Sequence, residues 1–219
     1  MKSLMLKDFI ISKKNILIAI VYLVILSITW AYSKEIAGVL NMLSLATFVP
    51  ICTQGSNGYD DLNKSYMMIA SLPTTREKIV ISRYIQVLLY LILGVGIINL
   101  IGVYMKLFSV GCLDIIYINS ITLMIGSVFV ILYYSLYYPL YFKLGNKHVC
   151  YINQIIVIAL ILSPSLILKV LKKHPEINMT KFIMEFNAKG LIFILVFSVI
   201  IFCISNKVSQ NIYKNRELI

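Results

Sequence analysis

The stretch Tyr59–Ile85, YDDLNKSYMMIASLPTTREKIVISRYI, carries three acids, four basic residues and a central proline between two strongly apolar parts of a 219-residue chain. Tyr59, Leu62, Tyr66 and Ile69 follow one another at steps of three, four and three, so on a helix they share a face. Asp60, Asp61, Asn63 and Lys64 lie mostly on the opposite side. The spacing predicts a short amphipathic helix. Pro73 cannot continue it, and Leu72 before the proline is biased towards extended backbone, so the chain should turn at Ser71-Leu72-Pro73. The next helix has its own start signal, because Thr74 and Glu77 stand at the spacing of a capping box. Arg76, Lys78 and Arg83 are then expected to form a basic collar at a membrane surface, with stems buried and charges in water.

Composition says what surrounds this polar island. The chain is 60% hydrophobic and 13% charged, with mean hydropathy +0.89, which leaves too little polar surface to cover a water-soluble core. A helix needs about 20 apolar residues to cross a hydrocarbon layer roughly 30 Å thick. Runs near that length occur at Asn15–Tyr32, Ile36–Thr53, Tyr84–Met105, Ile115–Tyr138, Ile152–Leu168 and Leu191–Ser205. Because lipid offers the backbone no hydrogen-bond partners, each span must be helical. The expectation is an all-α integral membrane protein with six transmembrane helices, forming one domain over 1–219. Pro50 weakens the second run. The first also has the small-x-small pattern Ala31, Ser33 of a signal peptide, but its length and the Lys13-Lys14 pair leading into it favour a span.

With both termini cytoplasmic, thirteen Lys and Arg residues fall inside and seven outside, as the positive-inside rule asks. Five of those seven, Lys169, Lys172, Lys173, Lys181 and Lys189, crowd one outer segment after the fifth run. The net charge of +11 is accounted for by basic residues beside anionic headgroups and calls for no nucleic acid. Cys52, Cys112, Cys150 and Cys203 are scattered without ligand spacing, which suggests small apolar fillers and neither a disulfide framework nor a metal site.

Motifs for chemistry are missing. There is no HExxH, no paired glutamates and no GxxxxGK[ST], and the two histidines, His148 and His174, fall on opposite sides of the membrane in this topology. All nine acids are expected in loops or at span ends, so no charged ion pathway is expected at mid-membrane. Asn41, Gln86, Asn99 and Asn119 inside spans are read as helix–helix hydrogen-bonding groups, with cargo contact as the other reading.

The segment Ser71–Tyr84, SLPTTREKIVISRY, resembles the S-L-P-x-[ST]-R-x-x-I-V-x-[SA]-[KR]-Y pattern of small ABC-2 family permeases, the membrane subunits of ABC exporters. Weaker similarity to that family covers Leu4–Lys14, Tyr138–Lys147 and Ser205–Glu217. The resemblance implies that Tyr59–Pro73 is the coupling helix, between spans two and three, that touches a cytosolic ATPase. It also implies a second permease subunit as homo- or heterodimer, ATP and Mg bound on the partner ATPase with no cofactor in this chain, and residence in the cell membrane. Short outer helices between spans five and six are implied too. There Ile177, Phe182, Ile183 and Phe186 would form an outer gate, a solvated loop being the alternative. Cargo would be an antimicrobial or cytolytic peptide, a hydrophobic drug or a lipid. Two other readings stay open on the residues alone: a surface helix that merely rests in the interface, and a substrate-capture subunit of a vitamin importer. An intramembrane enzyme is disfavoured by the missing motifs.

Overall fold

The computed structural model describes residues 2–32, 37–62, 75–107, 120–144, 146–173 and 188–215. They form six helices: α1 (Lys2–Tyr32), α2 (Ala37–Leu62), α3 (Arg76–Leu107), α4 (Ser120–Leu144), α5 (Asn146–Lys173) and α6 (Ala188–Lys214). At 1.5 Å per residue each is roughly 40 Å or longer, more than a hydrocarbon layer requires. Four contain stretches long and apolar enough to cross a membrane: Leu6–Leu26, Arg76–Tyr104, Ile121–Leu144 and Gly190–Lys214. A shorter apolar stretch, Tyr151–Ser163, lies within α5.

The helix at the centre is one of the more polar ones. α2 packs against α1, α3, α4 and α5, while α6 lies against α3 and α4. From Val39 to Asn57 nearly every residue of α2 is buried, including Asn41, Ser44, Thr47, Thr53, Ser56 and Asn57. The peripheral helices instead turn apolar side chains outward: Leu17, Ile18 and Ile25 on α1, Ile92 and Leu100 on α3, Leu136 on α4, Ile155 on α5 and Phe193 on α6. Polar groups inside and aliphatic groups outside is the distribution that a lipid surround favours, since a buried hydroxyl finds partners in protein and none in hydrocarbon.

Two close approaches hold α2 in place. A Cβ added at Gly94 would lie 2.8 Å from Cδ1 of Phe48, and one at Gly126 would lie 3.2 Å from the carbonyl oxygen of Met42. Glycine at these positions lets α3 and α4 sit directly on α2.

Partner residues fix the direction of the helices. Along α1 and α2, Asn15 bonds Ile51 while Leu26 packs with Leu40 and Leu43; along α3 and α6, Arg76 bonds Lys214 while Tyr84 bonds Ser205. Asp8 and Ser12 meet Arg83 and Tyr90 in that order, as Thr53 and Asn57 meet Tyr134 and Tyr137. In α5, Asn153 bonds Tyr133 while Leu160 packs beside Leu40. The six helices therefore alternate in direction. At the opposite end, Leu26, Val39, Leu40 and Leu43 form a separate apolar cluster with Leu160 packed on it.

Three expectations change. The second run does not stop near Pro50; α2 continues through it to Leu62, taking in Gln54–Gly58 and the first turn assigned to the amphipathic helix. Proline removes one backbone bond, and tight packing on all sides keeps the rest. Asp8 is not at a wet helix end but 3% exposed inside α1. Cys203, expected as a filler, is exposed on α6, whereas Cys52 is buried in the core.

Candidate functional site

The first four turns of α3 reach three other helices through polar side chains and a fourth, α4, through a backbone carbonyl. Arg83 is 5% exposed, and its Nη1 stands 3.1 Å from Oδ2 of Asp8 in α1. The basic collar assigned to Arg83 is thus corrected: its charge is buried against an acid and does not reach water. An unpaired ion at this depth would cost several kcal/mol, so the two residues depend on each other. The Arg83 carbonyl accepts a bond from Tyr138 Oη of α4 at 3.2 Å.

The next residue faces α6. Tyr84 Oη lies 2.8 Å from both Ser205 Oγ and Ser209 Oγ, and its ring meets Tyr138 at 4.8 Å and Phe202 at 4.9 Å between centroids. Two residues on, Gln86 Nε2 donates to Ser56 Oγ of α2 at 3.4 Å and to Tyr90 Oη at 3.0 Å. Tyr90 Oη in turn pairs with Ser12 Oγ of α1. A helix surface presents a new direction every 100° or so, and residues 83, 84, 86 and 90 use that rotation to address α1, α6, α2 and α1 again.

A second strand of the network runs between α2 and α4. Thr53 Oγ1 pairs with Tyr134 Oη, and Asn57 Nδ2 donates to Tyr137 Oη at 3.5 Å. These tyrosines belong to YYSLYYPLYF, Tyr133–Phe142, whose rings contact one another along α4 from Tyr133 to Phe142. Pro139 within it lacks an N–H, so the carbonyl of Ser135 loses its usual intrahelical donor. Ser205 Oγ of α6 supplies the replacement, donating to that carbonyl at 2.6 Å.

The other proposed site residues divide as follows. α3 begins at Arg76, with the Lys78 N–H bonded to the Thr75 carbonyl at 3.0 Å. Arg76 Nη1 donates to the carbonyl of Lys214 at 3.1 Å and approaches that of Tyr213 at 3.5 Å, both in the last turn of α6. Glu77 Oε1 is 3.9 Å from Lys214 Nζ, with both side chains exposed, and Lys78 is exposed. Tyr59, Asp60, Asp61 and Leu62 form the last turn of α2 by backbone. Tyr66, Ile69, Leu72, Pro73 and Thr74 lie outside the described residues, as do Ile177, Phe182, Ile183 and Phe186.

The residues that sequence reasoning missed are Asp8, Ser12, Tyr84, Tyr90, Tyr138, Ser205 and Ser209. One signal was visible for the first: a single acid in a leading helix otherwise basic and apolar. Among the described residues no group of three His, Cys, Asp or Glu side chains gathers as a metal site would. The arrangement ties helices together through hydrogen bonds and one ion pair, with the start of α3 as the partner of α1, α2, α4 and α6 and further bonds joining α4 to α2 and α6.

The chain matches the family described as ABC-2 family transporter protein over residues 3–214, a span that takes in all six helices. It is a member of the ABC-2 family. No curated protein and no solved structure matches it. Membership makes this ABC-2 chain a multi-pass membrane protein and an ABC transporter permease, a subunit of a type that is itself non-enzymatic and works with an ATPase partner.

Proposed function

We propose that this ABC-2 permease spans the membrane six times and exports a hydrophobic or amphipathic cargo, a peptide, drug or lipid, using ATP and Mg bound on a separate cytosolic ATPase. Both termini are cytoplasmic, and a second permease subunit completes the pore. Tyr59–Pro73 is the coupling helix, and Thr74, Arg76, Glu77 and Lys78 organise the turn into α3. The observation that carries this reading is the position of the polar cluster. It joins the first turns of α3, directly after the segment assigned to the ATPase, to α1, α2, α4 and α6. A displacement delivered at Pro73 would therefore reach most of the bundle.

Co-purification tests it. The wild-type chain should bring down an ABC ATPase, and Tyr66→Asp or Ile69→Asp should lower the recovered ATPase several-fold while membrane insertion stays normal. Recovery of no ATPase by the wild type, or equal recovery by both variants, would sink the coupling assignment. Orientation and the outer gate share one experiment, cysteine labelling of intact cells after removal of the native cysteines. Labels at 173 should react from outside, and labels at 64 and 147 only after permeabilisation. If Ile177, Phe182, Ile183 and Phe186 pack at the outer mouth, cysteines at 182 and 186 should react far more slowly than one at 173. Equal rates would identify a solvated loop.

A further inference from the structure

The ion pair Asp8–Arg83 is more than the coupling reading requires. A basic residue at this end of α3 could have reached headgroups at little cost, as the exposed Lys78 can, and an aspartate about two turns into α1 could have faced water. Instead both are buried, with side chains 5% and 7% exposed, and they meet at 3.1 Å. The same two helices are joined again one turn deeper, through Ser12 Oγ and Tyr90 Oη, where Tyr90 is held by Gln86. Ser12 lies one turn after Asp8 in α1, and its hydroxyl also donates to the Asp8 carbonyl at 2.8 Å. The paired charges and the hydroxyl pair therefore make a two-point fastening between α1 and α3.

Physics separates this fastening from ordinary packing. In a low-dielectric interior two apolar residues of similar volume often hold helices together as well as an ion pair does. What the ion pair adds is registry, since displacing the arginine separates two opposite buried charges, whereas a displaced leucine finds another apolar contact. α1 otherwise meets α3 over a small area and turns much of its surface outward, with Leu17, Ile18, Val21 and Ile25 exposed.

We infer that Asp8 and Arg83 are a positioning pair that makes α1 follow α3 through the ATP-driven cycle. The inference rests on the reading that an ATPase acts on the start of α3. α5 supplies a reference frame, because it packs on α2 and α4.

The test uses the assembled permease–ATPase complex, with Cys52, Cys112, Cys150 and Cys203 replaced by alanine and spin labels placed at exposed sites. One pair, Leu93 with Ile158, reports α3 against α5. The other, Ile18 with Ile158, reports α1 against α5. In the wild-type background both distances should shift on trapping with ATP and vanadate. Asp8→Leu with Arg83→Met should keep the α3 shift and lose the α1 shift. Asp8→Asn with Arg83→Gln, which keeps polar groups in place, should do the same. If the α1 shift persists in either double variant, or if α1 fails to move in the wild type while α3 does, the positioning role is overturned. If neither distance responds to nucleotide in the wild-type background, the ATP-driven reading itself fails, and this inference with it.

Discussion

The half of the bundle around Arg83 and the half around Leu40 are built from the same six helices, yet their hydroxyls and amides behave differently. Near Arg83 some bond back within their own helix, as Ser82, Thr53 and Ser135 do, but many also cross between helices: Tyr84 to Ser205 and Ser209, Gln86 to Ser56, Tyr138 to the Arg83 carbonyl, Ser205 to the Ser135 carbonyl. In the other half, Ser44, Ser127, Ser163 and Ser198 each turn back to the carbonyl three residues earlier in their own helix. Contacts there between α1, α2 and α5 are made by Leu26, Val39, Leu40, Leu43 and Leu160. A crossing hydrogen bond specifies one partner and one register, while aliphatic contact tolerates sliding. One half is thus suited to keeping geometry and the other to changing it, which is the division that a transporter opening at one end would use.

The strongest way to break this comparison is to remove one charge. Arg83→Ala leaves Asp8 buried without its cation, and breaking a buried pair from one side costs about 3–5 kcal/mol. Low recovery of folded permease and a fall of many degrees in Tm are expected, measured on the detergent-purified complex. A Tm close to wild type would mean that Asp8 is accommodated without Arg83, by water, a proton or another group, and that the pair does not hold this half together.

Several parts of this arrangement were legible in the sequence and others could not be. Apolar runs reported the helices because a continuous apolar stretch of about 20 residues satisfies its backbone in lipid by forming a helix. Boundaries failed where the interior is polar. Gln54, Gly55, Ser56, Asn57 and Gly58 lie between the second run and the amphipathic helix and belong to neither in the sequence, yet α2 continues through them, with Ser56 and the Asn57 side-chain N–H bonded to groups on neighbouring helices. Arg83 was misread for a related reason. A basic residue at a span end looks the same whether it faces headgroups or an acid on another helix, and Asp8, far away in the chain, gives no local sign of the pairing. The tyrosines of Tyr133–Phe142 were likewise visible as a composition and not as partners, since periodicity assigns a face but not what lies across from it.

A smaller effect tests whether α2 is held tightly in the middle of the bundle. Gly94→Ala places a methyl carbon 2.8 Å from the Phe48 ring, whereas Gly96, two residues on, meets nothing within 4 Å. Overpacking costs typically 1–3 kcal/mol, against about 1 kcal/mol that alanine gains over glycine in a helix. Gly94→Ala should therefore lower Tm, and Gly96→Ala should leave it unchanged or raise it slightly. Equal behaviour would show that Phe48 can swing aside and that the contact between α2 and α3 is loose.

The finest comparison sets one hydroxyl from each half side by side. Tyr84→Phe removes only the oxygen that joins α3 to Ser205 and Ser209 of α6, leaving the ring against Tyr138 and Phe202. Interhelical hydrogen bonds inside membrane proteins average about 0.6 kcal/mol each, so the loss of two should cost roughly 1 kcal/mol. Ser205 can still donate to the Ser135 carbonyl, which keeps the cost from rising further. Ser198→Ala also removes a buried hydroxyl on α6, but one that serves only the Leu195 carbonyl of its own helix. Such a bond contributes little, because that carbonyl already accepts a backbone N–H, and the change should stay within about 0.5 kcal/mol. Unfolding of the purified subunit by a denaturing detergent, read by loss of helix signal, resolves a difference of this size when both variants are run beside wild type. If Ser198→Ala costs as much as Tyr84→Phe, crossing bonds have no special weight and the contrast between the two halves does not hold. If Tyr84→Phe alone shifts the curve, the register of α3 against α6 is set at the same end as that of α3 against α1.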